Sequence, residues 1–315
     1  MAKRPLIIDC DPGVDDAIAL LLALAPGYPF DLLGITTVAG NVPLALTHGN
    51  ARRLCQLANR PDVPVLAGCP RPLVHPLTTA EPIHGRTGLD GPELPEPSRP
   101  APDCHGVDFL IDQCSQAGQP ITLATLGPLT NLAIALIKCP VIATQIAQVV
   151  VMGGSLGPGN ITPAAEFNFY VDPHAARVVM EAGLPLTLIG LDVTHQVVTT
   201  PDRLARFAAL GNRVGQTVAR WLTYYGQGEG DRYGLPGAPL HDPCVIAYLL
   251  QPDLFSGRPM YLAVETDSRL SRGRTIATPY PYPDQPPTAR VMEKVDAQGV
   301  YELLWERLAR FPLSP

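Results

Sequence analysis

Short apolar runs rich in valine, isoleucine and leucine alternate along the chain with longer segments whose apolar residues recur at helical spacing. This alternation is typical of βαβ units, in which helices bury parallel strands on both faces. It predicts strands at 6–10, 32–38, 63–66, 121–126, 149–152 and 186–189. It predicts helices at 15–25, 43–58, 107–117, 129–137 and 173–182. The expected fold class is α/β, with a mostly parallel, Rossmann-like open sheet.

The pattern changes in the last third of the chain. It becomes helical over 201–226 and 243–251, and then predicts short strands at 260–265, 274–278 and 289–293 before a closing helix near 296–310. We therefore expect an added C-terminal region of helices and short strands. With 46% hydrophobic and 17% charged residues, 315 residues can bury one large core, and we predict a single domain over 1–315.

Proline and glycine are unusually frequent, at 36 and 28 residues. Many stand at predicted strand-to-helix turns, but two dense proline clusters lie at 92–102 and 279–287. Neither cluster separates two self-sufficient halves of the chain. We interpret both as long surface loops rather than interdomain linkers.

The charge balance limits the partners. There are 23 basic and 29 acidic residues, a formal net charge of −6, which argues against nucleic acid or an anionic membrane. The longest apolar run covers 17–25, far short of the ~20 residues that span a bilayer, and the start of the chain lacks a signal-peptide pattern. Seven scattered cysteines without CxxC spacing suggest reduced thiols. We expect a cytoplasmic protein.

The densest chemical signal is DCDPGVDDA at 9–17, directly after the first predicted strand. One aspartate at a helix start is usually a cap, but four carboxylates within eight residues repel one another unless a cation lies among them. Pro12-Gly13 forms a tight turn that folds Asp11 back toward Asp15 and Asp16. Oxygen ligands favour Ca²⁺ or Mg²⁺, and tolerance of irregular geometry favours Ca²⁺.

Other polar residues follow the ends of predicted strands, where open α/β sheets bind ligands. Asn41 follows the second strand, LGPLTN at 126–131 contains the turn after the fourth, and Gly153-Gly154 follows the fifth. In the second of these turns, Gly127-Pro128 exposes the carbonyl of Leu126. Each turn alone would be ordinary, but together they indicate one site.

Two later segments add donors and acceptors. Asn160, Glu166 and Asn168 suit the vicinal hydroxyls of a sugar, and aromatic residues alternate with them. His241-Asp242 opens an apolar helix. Asp242 could be an ordinary helix cap, but the pair also offers a further hard ligand and a group that titrates near neutrality.

These motifs occur together in one family. DCDPGVDD at 9–16, VAGN at 38–41, LGPLTN at 126–131, VMGG at 151–154, EFN at 166–168 and HDP at 241–243 follow in order over nearly the whole chain. In these motifs the sequence resembles the inosine–uridine preferring nucleoside hydrolases. The resemblance implies hydrolysis of the N-glycosidic bond of ribonucleosides, and often a homodimer or homotetramer.

The resemblance also implies roles for individual residues. It implies a Ca²⁺ ion held by Asp11, Asp16, Asp242 and the carbonyl of Leu126, with a metal-bound water that Asp11 deprotonates. His241 corresponds to the general acid that protonates the departing base, and His84, in IHGRTG at 83–88, to a second histidine near the base. The remaining positions correspond to ribose contacts at Asp15, Asn41, Asn160, Glu166 and Asn168, and to apolar contacts at Met152 and Phe167.

Base preference stays open at this point. Tyr224 and Tyr225 fit purine-binding relatives, whereas Thr223, Gln227 and Tyr233 fit pyrimidine-binding ones without a clear register. We take Tyr225 and Tyr233 as candidate substrate contacts. The glycine-rich segment 226–230 is a candidate lid, in which the roles of Gln227 and Glu229 are open.

Two other functions are possible. A metal-dependent phosphatase would use Asp9 and Asp11 as a DxD pair, but no glycine-rich phosphate loop follows a strand. A nucleoside or ribose sensor would bind without catalysis, but binding needs neither a base such as Asp11 nor an acid such as His241.

Overall fold

A computed structural model of the chain describes residues 3–225, 230, 233–280 and 285–313. The strands are β1 (Arg4–Cys10), β2 (Phe30–Thr37), β3 (Val65–Ala67), β4 (Ile121–Thr125), β5 (Ile146–Met152), β6 (Leu186–Ile189), β7 (Val198–Thr199), β8 (Ala238–Pro239), β9 (Phe255–Val264), β10 (Thr275–Thr278) and β11 (Ala289–Val295).

The α-helices, numbered over the described residues, complete the secondary structure. They are α1 (Val14–Leu24), α2 (Leu44–Leu57), α3 (Glu81–His84), α4 (Gly106–Gln116), α5 (Thr130–Lys138), α6 (Phe167–Val171), α7 (Pro173–Glu181), α8 (Leu191–Thr194), α9 (Pro201–Ala208), α10 (Arg213–Tyr225), α11 (Pro243–Leu250) and α12 (Ala297–Leu308). Two 3₁₀ helices lie at Pro140–Gln145 and Pro252–Leu254.

A nine-stranded sheet in the order β10-β9-β11-β6-β5-β4-β1-β2-β3 organises the described residues. The strands from β3 to β11 in this order pair in parallel, and β9 pairs antiparallel with both β11 and β10. The predicted α/β fold with a mostly parallel sheet is therefore confirmed.

The order of the strands reverses beside β1. β2 and β3 extend the sheet to one side of β1, whereas β4, β5 and β6 extend it to the other. The connections after β1 and β4 therefore diverge and leave a crevice at the carboxyl edge of the sheet, which is where open α/β sheets bind ligands. Both the acidic motif and the Leu126 turn lie at this edge.

Two apolar clusters pack against the opposite faces of the sheet. Leu6 and Ile8 of β1 belong to one cluster, and Ile7 to the other, as alternation along a strand requires. Every residue of α1 is buried, including Asp15 and Asp16. The helix that presents these carboxylates is thus held by core packing along its whole length.

The predicted elements match the structure to within a few residues at most ends, with specific differences. The helical pattern over 201–226 is interrupted, because α9 ends at Ala208 and Gly211 adopts a positive φ of 73°. Asn212 then accepts a hydrogen bond from Gly215 N and starts α10. The short helices α3, α6 and α8 and the pair β7–β8 were not predicted, since they are too short for a periodic signal.

The first proline cluster is a surface loop, as predicted. Arg53 of α2 forms an ion pair with Glu96 at 2.9 Å, Gln56 accepts a hydrogen bond from Ser98 N, and Arg52 donates to Arg99 O. The loop is thus fastened along α2. The second cluster lies partly outside the described residues, which omit 281–284. No helix in the described ranges has the length and apolar character needed to cross a membrane.

Candidate active site

The acidic turn between β1 and α1 is held by its own backbone. Asp16 accepts hydrogen bonds from Asp11 N through Oδ1 and from Gly13 N through Oδ2, each at 3.1 Å. Asp16 therefore caps the start of α1. The turn predicted at Pro12-Gly13 brings the carboxylates of one short segment to the crevice.

The carboxylate of Asp11 is confined by two glycines. A methyl group at Gly40 or Gly127 would overlap one of the two Asp11 side-chain oxygens. Asn41 N donates to Asp11 Oδ2 at 2.7 Å, and the Asn41 side-chain amide donates to Asp11 O and to Asp16 Oδ2. The turns after β1, β2 and β4 thus meet around a single side chain.

Three carboxylates lie close enough to share a metal ion. Asp15, Asp16 and Asp242 each offer an oxygen within 4.8 Å of the others. Of the ligands that the resemblance implies, Asp16 and Asp242 are in this group and Asp11 is not. Asp15, which the resemblance places on the ribose, is in the group. The geometry therefore offers Asp15 as a further candidate ligand.

The electrostatics of this cluster call for a cation. Burial, together with the charge of Asp16, raises the pKa of Asp15 to about 8. Burial likewise raises the pKa of Asp16 to about 6, and raises the pKa of Asp11 and Asp242 well above their usual range. Along the described part of the chain, no lysine or arginine forms an ion pair with these groups.

Two further observations test whether an ion fits. Asp15 Oδ1 is buried without a hydrogen-bond partner, and it belongs to the group of oxygens from Asp15, Asp16 and Asp242 described above. Buried carboxylates this close repel one another when ionised, and a bound dication lets them ionise together. An all-oxygen donor set is what Ca²⁺ and Mg²⁺ prefer. The residues present therefore fit a hard divalent cation.

The exposed carbonyl predicted in the Leu126 turn lies at the cavity. Leu126 O accepts a hydrogen bond from Asn168 Nδ2 at 2.7 Å, and the same amide reaches Met152 O at 3.2 Å. Asn168 belongs to α6, whereas Leu126 directly follows β4 and Met152 ends β5. The Asn168 amide therefore links α6 to the ends of β4 and β5 at one wall of the cavity.

The carboxylate of Glu166 stabilises the same wall of the cavity through hydrogen bonds to the backbone. Its carboxylate caps α6 by accepting from Asn168 N and Phe169 N, and it also accepts from Gly154 N at 2.9 Å. Burial nevertheless raises the pKa of Glu166 to about 7, although the backbone hydrogen bonds oppose that shift. Asn160 lies beside it and accepts from Phe167 N.

The tautomer of His84 follows from one contact. Val14 N donates to His84 Nδ1 at 3.1 Å, so this nitrogen carries a lone pair and the ring proton sits on Nε2. Burial lowers the pKa of His84 to about 4, which keeps the ring neutral. Its face packs on Tyr225, with the ring centroids 5.5 Å apart.

A helix that does not line the cavity joins its two sides. Asn50 of α2 is buried, and its side-chain amide donates to Pro12 O at 3.0 Å and to Thr87 O at 2.8 Å. Pro12 belongs to the acidic turn and Thr87 to the segment that follows His84. One amide therefore connects the carboxylate cluster to the histidine segment.

His241 enters the cavity from the other side. Its Nδ1 lies 2.8 Å from Thr194 Oγ1, and its ring lies 5.8 Å from that of His195. His195 in turn packs against Tyr233 at 4.7 Å between ring centroids. Burial, followed by the charges of His195 and His84, lowers the pKa of His241 to about 3.

These groups surround a cavity of about 220 Å³. Most of the predicted site residues line it, and Asp11 and Asp16 lie directly behind Asn41. The predicted residues that line the cavity are Asp15, Asn41, His84, Leu126, Met152, Asn160, Glu166, Phe167, Asn168, Tyr225, Tyr233, His241 and Asp242.

Sequence reasoning missed part of the lining. Thr79, Ala80, Pro82, Ile83 and Ile161 also face the cavity. The first four directly precede His84, so the neighbourhood of that motif was the signal that could have found them. Gln227 and Glu229 of the candidate lid lie outside the described residues.

Asp9 is placed differently from the other aspartates. It is buried on β1, where Thr36 Oγ1 and Asn131 Nδ2 donate to its Oδ1, and it does not line the cavity. A phosphatase that attacks phosphate through Asp9 would need this carboxylate at the cavity. The phosphatase alternative is therefore wrong on the position of its nucleophile.

Comparison with known proteins agrees with this geometry. The sequence model of the family described as inosine-uridine preferring nucleoside hydrolase matches residues 6–302. An uncharacterized protein of Schizosaccharomyces pombe is 47% identical over 98% of this chain and 99% of its own length. The pyrimidine-specific ribonucleoside hydrolase RihA of an Enterobacter species is 44% identical over 98% of this chain and 99% of its own.

A solved structure shows the same fold. The purine-preferring ribonucleoside hydrolase from Gardnerella vaginalis superposes with a TM-score of 0.90 at 32% identity, covering 97% of this chain and 98% of its own. The chain therefore belongs to the inosine–uridine preferring nucleoside hydrolase family, and it is an enzyme of the ribonucleoside hydrolase class.

Proposed function

We propose that the enzyme hydrolyses the N-glycosidic bond of ribonucleosides in this cavity, releasing ribose and the free base. The observation that carries the proposal is the make-up of the lining, which combines two groups of residues. Carboxylates, amides and one carbonyl form the first, here called the carboxylate end, and two histidines with aromatic and apolar side chains form the second, the histidine end. The two meet where His84 Nδ1 lies 4.0 Å from Asp15 Oδ1. A sugar with vicinal hydroxyls suits the first end, and a planar base suits the second.

The ribose is proposed to lie against Asp15, Asn41, Asn160, Glu166 and Asn168. Cleavage of an N-glycosidic bond builds positive charge on the sugar, as in an oxocarbenium ion. Buried carboxylates and oriented amides that are already fixed by the backbone stabilise such charge without reorganising. Met152 and Phe167 would pack on the apolar parts of the sugar and base.

Ca²⁺ is proposed as the cation, with ligands from Asp11, Asp16, Asp242 and the Leu126 carbonyl, and with Asp15 as a further candidate. The support is the oxygen-only donor set and the raised carboxylate pKa values. When bound, the ion would offset two of the negative charges of the cluster and make nearby water more acidic. Mg²⁺ has similar oxygen preferences but demands stricter octahedral geometry.

Asp11 is proposed as the base that takes a proton from the attacking water. Its carboxylate is held by Asn41 N and by the close approach of Gly40 and Gly127, so it is oriented before the substrate binds. Such positioned proton transfer typically contributes 10²–10⁴-fold to a rate.

His241 is proposed as the acid that protonates the departing base. Burial lowers the pKa of its ring, whereas four ionised carboxylates around one dication keep a net negative charge, which favours the charged ring. The neutral Nε2–H of His84 is proposed to donate to an acceptor on the base.

We propose that pyrimidine nucleosides are the preferred substrates. The support is the higher identity to the pyrimidine-specific enzyme, 44%, than to the purine-preferring one, 32%. By resemblance, we also propose a cytoplasmic enzyme with one domain over 1–315 that assembles as a homodimer or homotetramer. Light scattering after size exclusion tests the assembly.

A single assay tests the reaction. The protein is incubated with uridine, cytidine and inosine, as purified, after chelation, and after adding back Ca²⁺ or Mg²⁺, and free ribose is measured. We expect ribose from uridine and cytidine first, loss after chelation, and recovery with Ca²⁺. Binding of nucleosides without any release of ribose would instead favour the sensor.

A further inference from the structure

One ring nitrogen of His241, Nδ1, contacts the buried hydroxyl group of Thr194. Thr194 is fully buried, and its Oγ1 lies 2.8 Å from His241 Nδ1. His241 itself lines the cavity. Because Nδ1 is engaged by Thr194, Nε2 is the ring nitrogen that remains for a ligand in the cavity.

The hydroxyl is fixed by its backbone. Thr194 ends α8, the short helix that starts directly after β6, and its N–H donates to Gly190 O while its carbonyl accepts from Val197 N. Asp192 of the same helix accepts from Leu156 N at 2.7 Å. A β-branched side chain has few rotamers, so the anchored helix leaves the hydroxyl only a small number of positions.

The ring of His241 is also confined sideways. His195, the residue after Thr194, packs its ring 5.8 Å from that of His241 and 4.7 Å from that of Tyr233. Two consecutive residues therefore contact one imidazole, one at its nitrogen and one beside its ring. A histidine that only filled space would need neither contact.

We propose that Thr194 is a positioning residue for His241, whose Nδ1–H donates to Thr194 Oγ1 so that Nε2 exchanges the proton with the departing base. The proposal rests on the acid role given above. As the N-glycosidic bond breaks, its electron pair passes to the base nitrogen, and the Nε2 proton follows. The attacking water gives its oxygen to the ribose carbon and a proton to Asp11. His241 keeps its Nδ1–H throughout.

The test replaces the hydroxyl without changing the shape of the side chain. Thr194→Val removes the oxygen, Thr194→Ser keeps it, and Thr187→Val is a matched control at a buried threonine of β6 that does not line the cavity. Each is assayed on uridine and on p-nitrophenyl β-ribofuranoside, whose leaving group needs no protonation. We expect Thr194→Val to lower kcat on uridine by about 10–100-fold and to spare the nitrophenyl substrate, with activity restored in Thr194→Ser.

His241→Ala separates failure of this proposal from failure of the proposed function. If His241→Ala lowers kcat for uridine but not for the nitrophenyl substrate, the acid role of His241 is supported. Thr194→Val must then also slow the hydrolysis of uridine but not of the nitrophenyl substrate. The double variant with both substitutions must be no slower on uridine than His241→Ala alone. Equal losses on both substrates in Thr194→Val, alongside a divided response in His241→Ala, would overturn the positioning role. An undivided response in His241→Ala would remove the acid role itself.

Discussion

The two ends of the cavity are built in different ways. The carboxylate end consists of turns that directly follow β1, β2 and β4, where backbone hydrogen bonds and close glycine contacts fix Asp11, Asp16 and Asn41. The histidine end consists of side chains from short helices and connections, held by single hydrogen bonds and ring contacts. The end with the highest concentration of charge is therefore also the end with the most hydrogen bonds to the turns of the sheet.

The largest effect is expected at Asp11. Asp11→Asn keeps the shape of the side chain and the hydrogen bond from Asn41 N, but removes the proposed base and one negative charge. We expect kcat on uridine to fall by about 10³-fold or more. Because buried like charges repel, we also expect the melting temperature of the chelated protein to rise. Steady-state kinetics and calorimetry measure both quantities.

Asp31→Asn, at an exposed position on β2, is the control and should change neither quantity. An Asp11→Asn enzyme with activity near that of the parent would show that another group takes the proton.

A smaller loss is expected when the glycine contacts around Asp11 are disturbed. Gly40→Ala places a methyl group where an Asp11 oxygen now lies, so the carboxylate must move. We expect kcat to fall by about 10²-fold on uridine and on p-nitrophenyl riboside alike, because both need the attacking water. Gly118→Ala, where a methyl group meets nothing within 4 Å, is the matched control. A loss limited to uridine would contradict a defect at the carboxylate end.

At the histidine end we expect a loss that depends on the base. His84→Leu removes the Nε2–H donor and the bond from Val14 N while keeping an apolar side chain. One lost hydrogen bond corresponds to about 1.4 kcal/mol, or a tenfold rise in KM for uridine. The nitrophenyl substrate offers no matching acceptor, so its KM should stay within twofold. Parallel changes for both substrates would mean that His84 supports the fold rather than reads the base.

The smallest effect concerns stability. Burial raises the pKa of Glu166 to about 7 from 4.5, so the folded protein holds this proton more tightly than the unfolded chain. The stabilising contribution of Glu166 to the free energy of unfolding is therefore fully present below pH 4.5 and is lost as the pH rises through about 7. We expect Glu166→Gln to make the melting temperature less dependent on pH between 5 and 8, by about 3 °C over that range.

The measurement compares the pH slope of the melting temperature in the two proteins, both saturated with Ca²⁺. Glu93→Gln serves as the control, because Glu93 is exposed. Identical slopes for the parent and Glu166→Gln would show that Glu166 is not the group responsible.

The sequence predicts the carboxylate end of the site better than the histidine end. At the carboxylate end, Asp11, Asp15 and Asp16 are neighbours in sequence, and Asn41 and Leu126 follow strands whose parallel order brings their ends together. Asp242 is the exception, because it joins the group from the start of α11. The residue pattern of 9–17 and the turn at 126–131 was therefore enough to place these groups at one edge.

At the histidine end, contacts join residues that are far apart in sequence and lie in elements too short for a periodic signal. His241 meets Thr194 across 47 positions, and Val14 meets His84 across 70. No local pattern encodes such pairs, because they arise only when packing is complete. Ile161 of the lining was missed for the same reason, whereas Thr79 and Ala80 lie beside the His84 motif and could have been found from it.

Asn50 has a consequence for how such enzymes can diverge. Its amide joins the carbonyls of Pro12 and Thr87, although α2 contributes no group to the cavity. The spacing between the acidic turn and the His84 segment is thus set partly by a helix that does not line the cavity. A descendant could not vary the segment after His84 freely, because any shift at Thr87 would be transmitted to the acidic turn. New specificities would then arise more readily around Tyr233, which packs on His195 rather than on the His84 segment.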